Sequence, residues 1–171
     1  PRITHPEVGY SPEDLPDAPV IAAILAQVSE YRRNHDIRLS FHPDQFITLS
    51  SLRADVVDNS LRELEYQGLV AEMIGAEVIN IHGGGAFGDK SAALERFRRG
   101  FDRLSDKVRK RLTLENDDVT YTVKDLYPLA CALGIPLVYD VHHHRCLPDG
   151  LSVEVATSQA VESWGMLGRE P

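Results

Sequence analysis

The sequence has few of the residues that build covalent or thiolate scaffolds. Only two of its 171 residues are cysteines, Cys131 and Cys146, and their spacing forms no CxxC pair. This argues against a zinc knuckle and against the disulfide framework of a small secreted domain. We therefore expect both thiols to stay reduced.

Long apolar runs are also missing. No stretch approaches the roughly 18 uninterrupted apolar residues that a membrane-spanning helix requires. The first ten residues, PRITHPEVGY, do not combine a basic segment with an apolar one, as a secretory leader would. We expect a cytoplasmic protein that does not bind a membrane, and no obligate protein partner is evident.

The chain has fewer basic than acidic residues, and its formal net charge is -8. Such a sum argues against a protein that coats nucleic-acid phosphates indiscriminately. It does not exclude a single nucleic-acid cleft, since clustered carboxylates that bind cations also make a chain acidic. The hydrophobic content of 43% is ordinary for one globular domain.

Apolar periodicity predicts a strict alternation of helices and strands. We expect helices near 19–35, 51–75, 91–109, 122–134 and 152–164, and strands near 37–41, 77–82, 111–116 and 135–141. In the first helix the predicted buried stripe is Ile21, Ile24, Leu25, Val28 and Tyr31. Alternation with nearly continuous apolar strands indicates a parallel sheet, either doubly wound or part of a (β/α)8 barrel.

Helix-capping residues support these boundaries. Ser51 is a suitable N-cap for the second helix, and Thr122 with Asp125 three residues later resembles a capping box. Gly75 and Gly134 are expected to end their helices in the left-handed conformation.

Each predicted strand ends in a side chain that can bind a metal. These residues are His42, His82, Glu115, and Asp140 with His143. The carboxyl ends of barrel strands converge on one face, so the four equivalent positions predict a common site. Histidine nitrogens mixed with carboxylate oxygens favour Zn²⁺, Mn²⁺ or Fe²⁺ over Ca²⁺ or Mg²⁺, and two or three ions could be held.

The triplet His142-His143-His144 follows the last strand. Successive side chains near a strand end alternate between faces, so the three cannot all point inward. We assign His143 to the site and expect the other two to support it or to be solvated.

The glycine-rich segment HGGGAFGDK admits two further interpretations. Gly83, Gly85 and Gly88 match the GxGxxG pattern of dinucleotide sites, but Asp89 and Lys90 separate them from the helix. A lipase-type oxyanion loop would need a GxSxG segment, which the sequence lacks. We instead expect an open loop that leaves room for a large substrate.

Four long motifs, LSFHPDQF, VINIHGGGAFGDK, RLTLENDD and LVYDVHHHRCLPDGLS, carry a family resemblance. In order and spacing the sequence resembles the UV damage endonucleases, DNA-repair enzymes of the same (β/α)8 superfamily as endonuclease IV. The resemblance implies a TIM barrel that nicks damaged double-stranded DNA on the 5′ side of UV photoproducts and some other lesions. It also implies a cluster of divalent ions, commonly manganese.

The resemblance assigns roles to individual residues. It implies the metal ligands His42, His82, Glu115, Asp140 and His143, with His5 as a further candidate. Gln45 and Phe46 correspond to the pair that probes the lesion, and Phe46 stands where the family usually has tyrosine. An aromatic wedge fills the gap between unstacked bases, so the change affects lesion preference more than chemistry.

Catalysis is assigned to Glu115 and His143, with Glu115 bridging two ions. Arg53, Lys90 and Arg145 follow strand ends and are the expected phosphate contacts. The basic residues 107–111 precede a strand and are expected at the opposite end of the barrel, on a solvated helix face. Two alternative functions stay open: a metal-dependent sugar isomerase or epimerase, and an inactive metal-stabilised scaffold.

Chain length sets one further expectation. About four β/α units and an N-terminal segment are legible, whereas a complete (β/α)8 barrel usually needs about 200 residues or more. We therefore expect residues 1–171 to form one domain that is part of a larger TIM-barrel endonuclease domain. Such a part would carry two unpaired sheet edges.

Overall fold

The computed structural model describes residues 12–169 and residue 171. Within them, a short 3-10 helix at Pro12–Asp14 is followed by strands that are separated by one or two helices. The elements are α1 (Ala18–Asn34), β1 (Ser40–Phe41), α2 (Ala54–Ile74), β2 (Val78–His82), α3 (Lys90–Phe101), α4 (Asp106–Arg109), β3 (Leu112–Glu115), α5 (Val123–Leu133), β4 (Leu137–Val138), α6 (Val141–Cys146) and α7 (Val153–Gly165). His5 lies outside the described residues.

The four strands form one parallel sheet in the order β1-β2-β3-β4. Neighbours in the sequence are thus neighbours in space, whereas a doubly wound sheet reverses direction at an internal switch point. Of the two architectures that the apolar alternation allows, the strand order supports the barrel, as the family resemblance implied. The described residues form successive β/α units of a TIM-barrel-like fold.

The apolar core lies between the sheet and the helices. Ile79 and Leu112 are register partners in β2 and β3, and both are fully buried. Leu64 of α2, Phe97 of α3 and Leu126 of α5 belong to the same buried cluster and are also fully buried. The nearly continuous apolar strands of the sequence are explained by this burial.

Most of the predicted helix caps are confirmed. Thr122 and Asp125 form the expected capping box at the start of α5. Gly75 and Gly134 follow α2 and α5 with φ angles of 72° and 66°. Ser51 is not the N-cap of α2, since its hydroxyl accepts a hydrogen bond from the backbone of Arg53, which occupies that position.

Three predicted boundaries were wrong. The helix expected at 91–109 is divided into α3 and α4, because Glu65 of α2 accepts hydrogen bonds from both the backbone and the hydroxyl of Ser105. The strand expected at 37–41 pairs only at its last two residues. The strand expected at 135–141 ends at Val138, because Asp140 caps a short helix that periodicity does not reveal.

The predicted buried stripe of α1 was also wrong. Ile24 and Tyr31 are 53% and 60% exposed, and Ile21 and Val28 are exposed as well. Only Leu25 of the stripe packs against the core. The reason is topological: α1 precedes β1, an edge strand of the described sheet, so no further described strand lies under this face.

At the other edge, α7 covers β4. The backbone N–H of Leu137 donates to the Ser163 hydroxyl at 2.8 Å, and its carbonyl accepts from the Trp164 indole at 2.7 Å. We expected this sheet edge to be unpaired, but at Leu137 both backbone groups are hydrogen-bonded to side chains of α7. This limits pairing of the edge with another chain.

We predict that Ser163→Ala lowers the free energy of unfolding by about 1–3 kcal/mol, because it leaves the buried Leu137 N–H without an acceptor. Urea denaturation measures the change. Ser158→Ala is the matched control, since Ser158 is exposed on the same helix. Equal effects of the two substitutions would contradict the proposed role of Ser163 in covering the strand edge.

Candidate metal centre

The sheet brings the predicted strand-end residues together. His82 and Glu115 are register partners at the carboxyl ends of β2 and β3. His42 immediately follows β1, and its ring centroid lies 5.2 Å from that of His82. The His82 ring lies 5.9 Å from that of His143. The expectation that these side chains converge at one edge is confirmed.

Two groups of possible ligands share Glu115. The first comprises His42, His82 and Glu115, and the second comprises Glu115, Asp140 and His143. In each group one ligand atom per residue lies within 4.8 Å of the others. Such spacing allows one cation to be coordinated by each group.

The buried Glu115 carboxylate directs one oxygen toward each group. Its Oε2 lies 3.0 Å from His42 Nε2 and 4.0 Å from His82 Nε2. Its Oε1 lies 3.8 Å from His143 Nδ1. Asn80 Nδ2 also donates a hydrogen bond to Oε2. Because each oxygen faces a different donor group, this carboxylate has the geometry of a bridge.

The side chains fit a divalent cation. The Nδ1 atoms of His42 and His143 contact the backbone carbonyls of Pro43 and Asn116 at 3.1 and 2.9 Å, as metal-binding histidines commonly do. In His42 this leaves Nε2, the atom that faces Glu115 Oε2, to act as a ligand. In His143 the atom that faces Glu115 and Asp140 is Nδ1 itself. The Nδ1 of His82 is buried and has no hydrogen-bond partner among the described residues. A mixed nitrogen and oxygen donor set suits Zn²⁺, Mn²⁺ or Fe²⁺.

Helix α6 positions the second group. Asp140 is its N-cap, and Oδ1 accepts hydrogen bonds from the backbone N–H groups of His142 and His143 at 2.7 and 2.9 Å. The bond from His143 and then that from His142 lower the pKa of Asp140 against the opposing effect of burial. The Asn116 side chain holds the backbone of Asp140. Its Oδ1 accepts from the Asp140 N–H and its Nδ2 donates to the Asp140 carbonyl, both at 2.9 Å.

Opposing effects act on the pKa of His143. Burial alone would lower it, but the carbonyl of Asn116 and the charges of Asp140 and Glu115 together raise it above the usual value. In the described structure the site is therefore electronegative around His143. That environment favours bound positive charge.

The other two histidines of the triplet lie on different sides of α6. His142 is exposed and lies 3.8 Å from the Cys146 sulfur. His144 is buried between Tyr139, 2.7 Å away, and Asp149, 3.3 Å away. Strand alternation was thus the wrong reason for separating them, since helical geometry does so. His144 is buried and therefore not solvated, and its contacts connect α6 to the segments on either side of that helix.

The first part of the glycine-rich loop is packed, whereas its last part around Gly88 is exposed, so the expected open loop is only partly found. A Cβ on Gly83 would lie 2.7 Å from the Tyr121 ring, and one on Gly84 would lie 2.6 Å from the Ser50 hydroxyl. The Ser50 hydroxyl also donates to the Gly83 carbonyl at 2.9 Å. These glycines are required by contacts between loops, so they are not evidence of space for a substrate.

The predicted DNA contacts lie on the surface of the loops and helices that follow the strands. Phe46 is 75% exposed and is therefore not a core aromatic, and Gln45 beside it is also exposed. Arg53 pairs with Asp55 at 2.6 Å, and Lys90 pairs with Asp125 at 2.7 Å. Arg145 is exposed on α6.

A second exposed aromatic was missed by the sequence analysis. Phe87, in the loop after β2, is 47% exposed and has a φ of 52°, which is unusual for a bulky side chain. The guanidinium of Arg96 lies 5.6 Å from its ring centroid. The aromatic-glycine sequence AFGD could have indicated an exposed ring in this loop.

Comparisons with known proteins show the family of this chain. The family model described as UV-endonuclease UvdE matches residues 1–170. The chain belongs to the UvdE family. It is 42% identical over 152 residues to a UV-damage endonuclease of Neurospora crassa, covering 85% of this chain and 22% of that protein. It is 37% identical over 143 residues to a UV DNA damage endonuclease of Bacillus velezensis, covering 81% of this chain and 45% of that protein.

A solved structure described as SacUVDE shares the fold of this UvdE-family chain. It matches with a TM-score of 0.85 and 33% identity, covering 94% of this chain and 54% of that chain. The chain therefore spans about half of the matched structure and less of the Neurospora relative. Among the described residues, no helix is long and apolar enough to span a membrane.

We predict that alanine substitutions separate the two roles of glycine in the loop. Gly84 and Gly88 have φ angles of 80° and 85°, so alanine at either position costs about 1–2 kcal/mol in backbone strain. Only Gly84→Ala also overpacks its neighbours, which adds about 1–3 kcal/mol, because a Cβ on Gly88 has no described atom within 4 Å. Urea denaturation measures the free energy of unfolding of both variants. Equal destabilisation by Gly84→Ala and Gly88→Ala would contradict the close contact around Gly84.

Proposed function

We propose that the protein containing this chain is a DNA-repair endonuclease. It hydrolyses the phosphodiester backbone on the 5′ side of UV photoproducts and other lesions, and it uses divalent cations. The observation that carries the proposal is the pair of ligand groups that share Glu115 at the carboxyl edge of the sheet. Membership of the UvdE family supports the substrate class.

The donor atoms support a cluster of two or three cations, with Mn²⁺ as the proposed metal. His42 and His82 would hold one ion, Asp140 and His143 a second, and Glu115 would contribute to both. Further ligands, including His5, could complete the cluster. When bound, divalent cations supply positive charge at the scissile phosphate and lower the pKa of a water molecule.

The protein side chains orient the candidate ligands and exclude bulk water from Glu115. Asn116 fixes the backbone of Asp140, and the Asp140 side chain in turn fixes the start of α6 and thereby His143. Glu115 is only 6% exposed, so its oxygens are directed at the two ligand groups and away from bulk water. Positioning of this kind lowers the reorganisation needed during reaction.

Recognition of the lesion is assigned to the loops around the site. Phe46 would fill the gap between unstacked bases, with Gln45 beside it, and its 75% exposure leaves the ring available. Arg53, Lys90 and Arg145 would contact phosphates. The Lys90–Asp125 pair is partly exposed and is worth about 0.2–1 kcal/mol, so a phosphate can compete for this lysine.

The full-length protein should nick a duplex that carries one photoproduct, and a chelator should abolish the activity until Mn²⁺ is restored. Gel analysis of the labelled strand measures both nicking and its position. Inactivity of the wild-type protein with saturating Mn²⁺ would refute the proposal and favour the inactive scaffold. Turnover of a ketose panel without nicking would favour the sugar isomerase.

We predict that Glu115→Gln reduces nicking by at least about 100-fold, because an amide cannot donate negative charge to two cations. The labelled-duplex assay with saturating Mn²⁺ measures the loss. Glu154→Gln is the matched control, since Glu154 is exposed in α7. Cleavage by Glu115→Gln at the control rate would refute the bridging role.

We predict that Lys90→Gln lowers the slope of log Kobs against log salt by about 0.9 for binding to damaged duplex. Lys110→Gln should leave the slope unchanged, because Lys110 precedes β3 at the opposite end of the strands and lies near Glu72. Fluorescence anisotropy over a salt series measures both slopes. Equal slopes for the two variants would remove Lys90 from the proposed DNA contacts.

A further inference from the structure

Two polar side chains lie beneath the candidate metal centre, in an otherwise apolar part of the sheet. Asn80 and Thr113 are register partners in β2 and β3, and they are 7% and 0% exposed. Each precedes a candidate ligand by two residues, so Asn80 shares a face with His82, and Thr113 with Glu115. Burying polar groups costs free energy unless they are hydrogen-bonded, so their bonds identify what they do.

The two side chains form a directed chain of hydrogen bonds to Glu115. The Thr113 hydroxyl donates to Asn80 Oδ1 at 2.9 Å, and Asn80 Nδ2 donates to Glu115 Oε2. A carboxylate oxygen only accepts, so the Asn80 amide must present its nitrogen to Glu115. The hydroxyl of Thr113 stabilises this orientation, because it donates to the amide oxygen on the other side.

The bond from Asn80 selects one of the two carboxylate oxygens. Oε2 is the oxygen that faces His42 and His82, whereas Oε1 faces His143. Rotation of the carboxylate would exchange or misplace these two contacts. A fixed Oε2 therefore keeps one oxygen aimed at each ligand group.

We propose that Asn80 and Thr113 are positioning residues that hold the Glu115 carboxylate in its bridging orientation. Thr113 acts on the metal centre through Asn80, to which its hydroxyl donates. The inference rests on the proposed function, because the positioned carboxylate is the one assigned to two cations. Loss of such an outer contact typically weakens metal affinity by about 10–100-fold.

Thr113→Val and Thr113→Ser form a matched pair that tests the hydroxyl. Valine keeps the branched shape and removes the donor, whereas serine keeps the donor and removes a methyl group. We expect Thr113→Val in the full-length protein to bind at least one Mn²⁺ about 10–100-fold more weakly than wild type. Thr113→Ser should bind Mn²⁺ with nearly wild-type affinity.

Isothermal titration with Mn²⁺ measures affinity and stoichiometry, and electron paramagnetic resonance of the loaded protein reports whether two ions are coupled. Unfolding of the metal-free variants is measured in parallel. A purely structural role would lower stability and leave Mn²⁺ affinity and coupling unchanged in the folded fraction. That result, or equal weakening by serine and valine, would overturn the proposal.

Asn80→Asp provides a second test that does not depend on the folding of Thr113→Val. It keeps the shape of the side chain but places an acceptor against Glu115, so we expect loss of the coupled Mn²⁺ signal. Wild-type affinity and coupling in this variant would overturn the positioning role alone. Failure of the wild-type protein to bind Mn²⁺ would overturn both this inference and the proposed use of metal.

Discussion

Burial of the Glu115 carboxylate is the constraint on which the site depends. A charged group with 6% exposure is costly unless its oxygens are compensated by partners. The parallel sheet provides those partners, because His42 and His82 end the two preceding strands and α6 places His143 on the other side. His42 and the Asn80 amide are within hydrogen-bond distance of the carboxylate, whereas His82 and His143 lie 4.0 and 3.8 Å away, so a cation between these groups would add the missing compensation.

The surroundings of the site are held by contacts between loops. Ser50 bonds the loop after β2 to the segment before α2, and Asn116 bonds the end of β3 to the start of α6. Each of these connections joins two consecutive β/α units. The candidate ligands are therefore carried by one connected rim, which is how a rigid scaffold positions functional groups on loops.

The fold class and five of the candidate ligands could be predicted from the sequence, because both follow from local residue patterns. Strands that are apolar throughout and end in His82 or Glu115 can be recognised without knowing their neighbours. The failures were non-local. The exposed face of α1 depends on whether a strand lies beneath it, and the division of α3 from α4 depends on Glu65 of another helix.

The sequence by itself determined which chemical groups stand at the strand ends and that those ends share one edge. Only the tertiary structure decided that one carboxylate faces two ligand groups, that α6 aims His143 inward while His144 is buried elsewhere, and that Asn80 and Thr113 lie under Glu115. The physical reason is that periodicity specifies the face a residue occupies, whereas a hydrogen bond depends on the register and orientation of another strand.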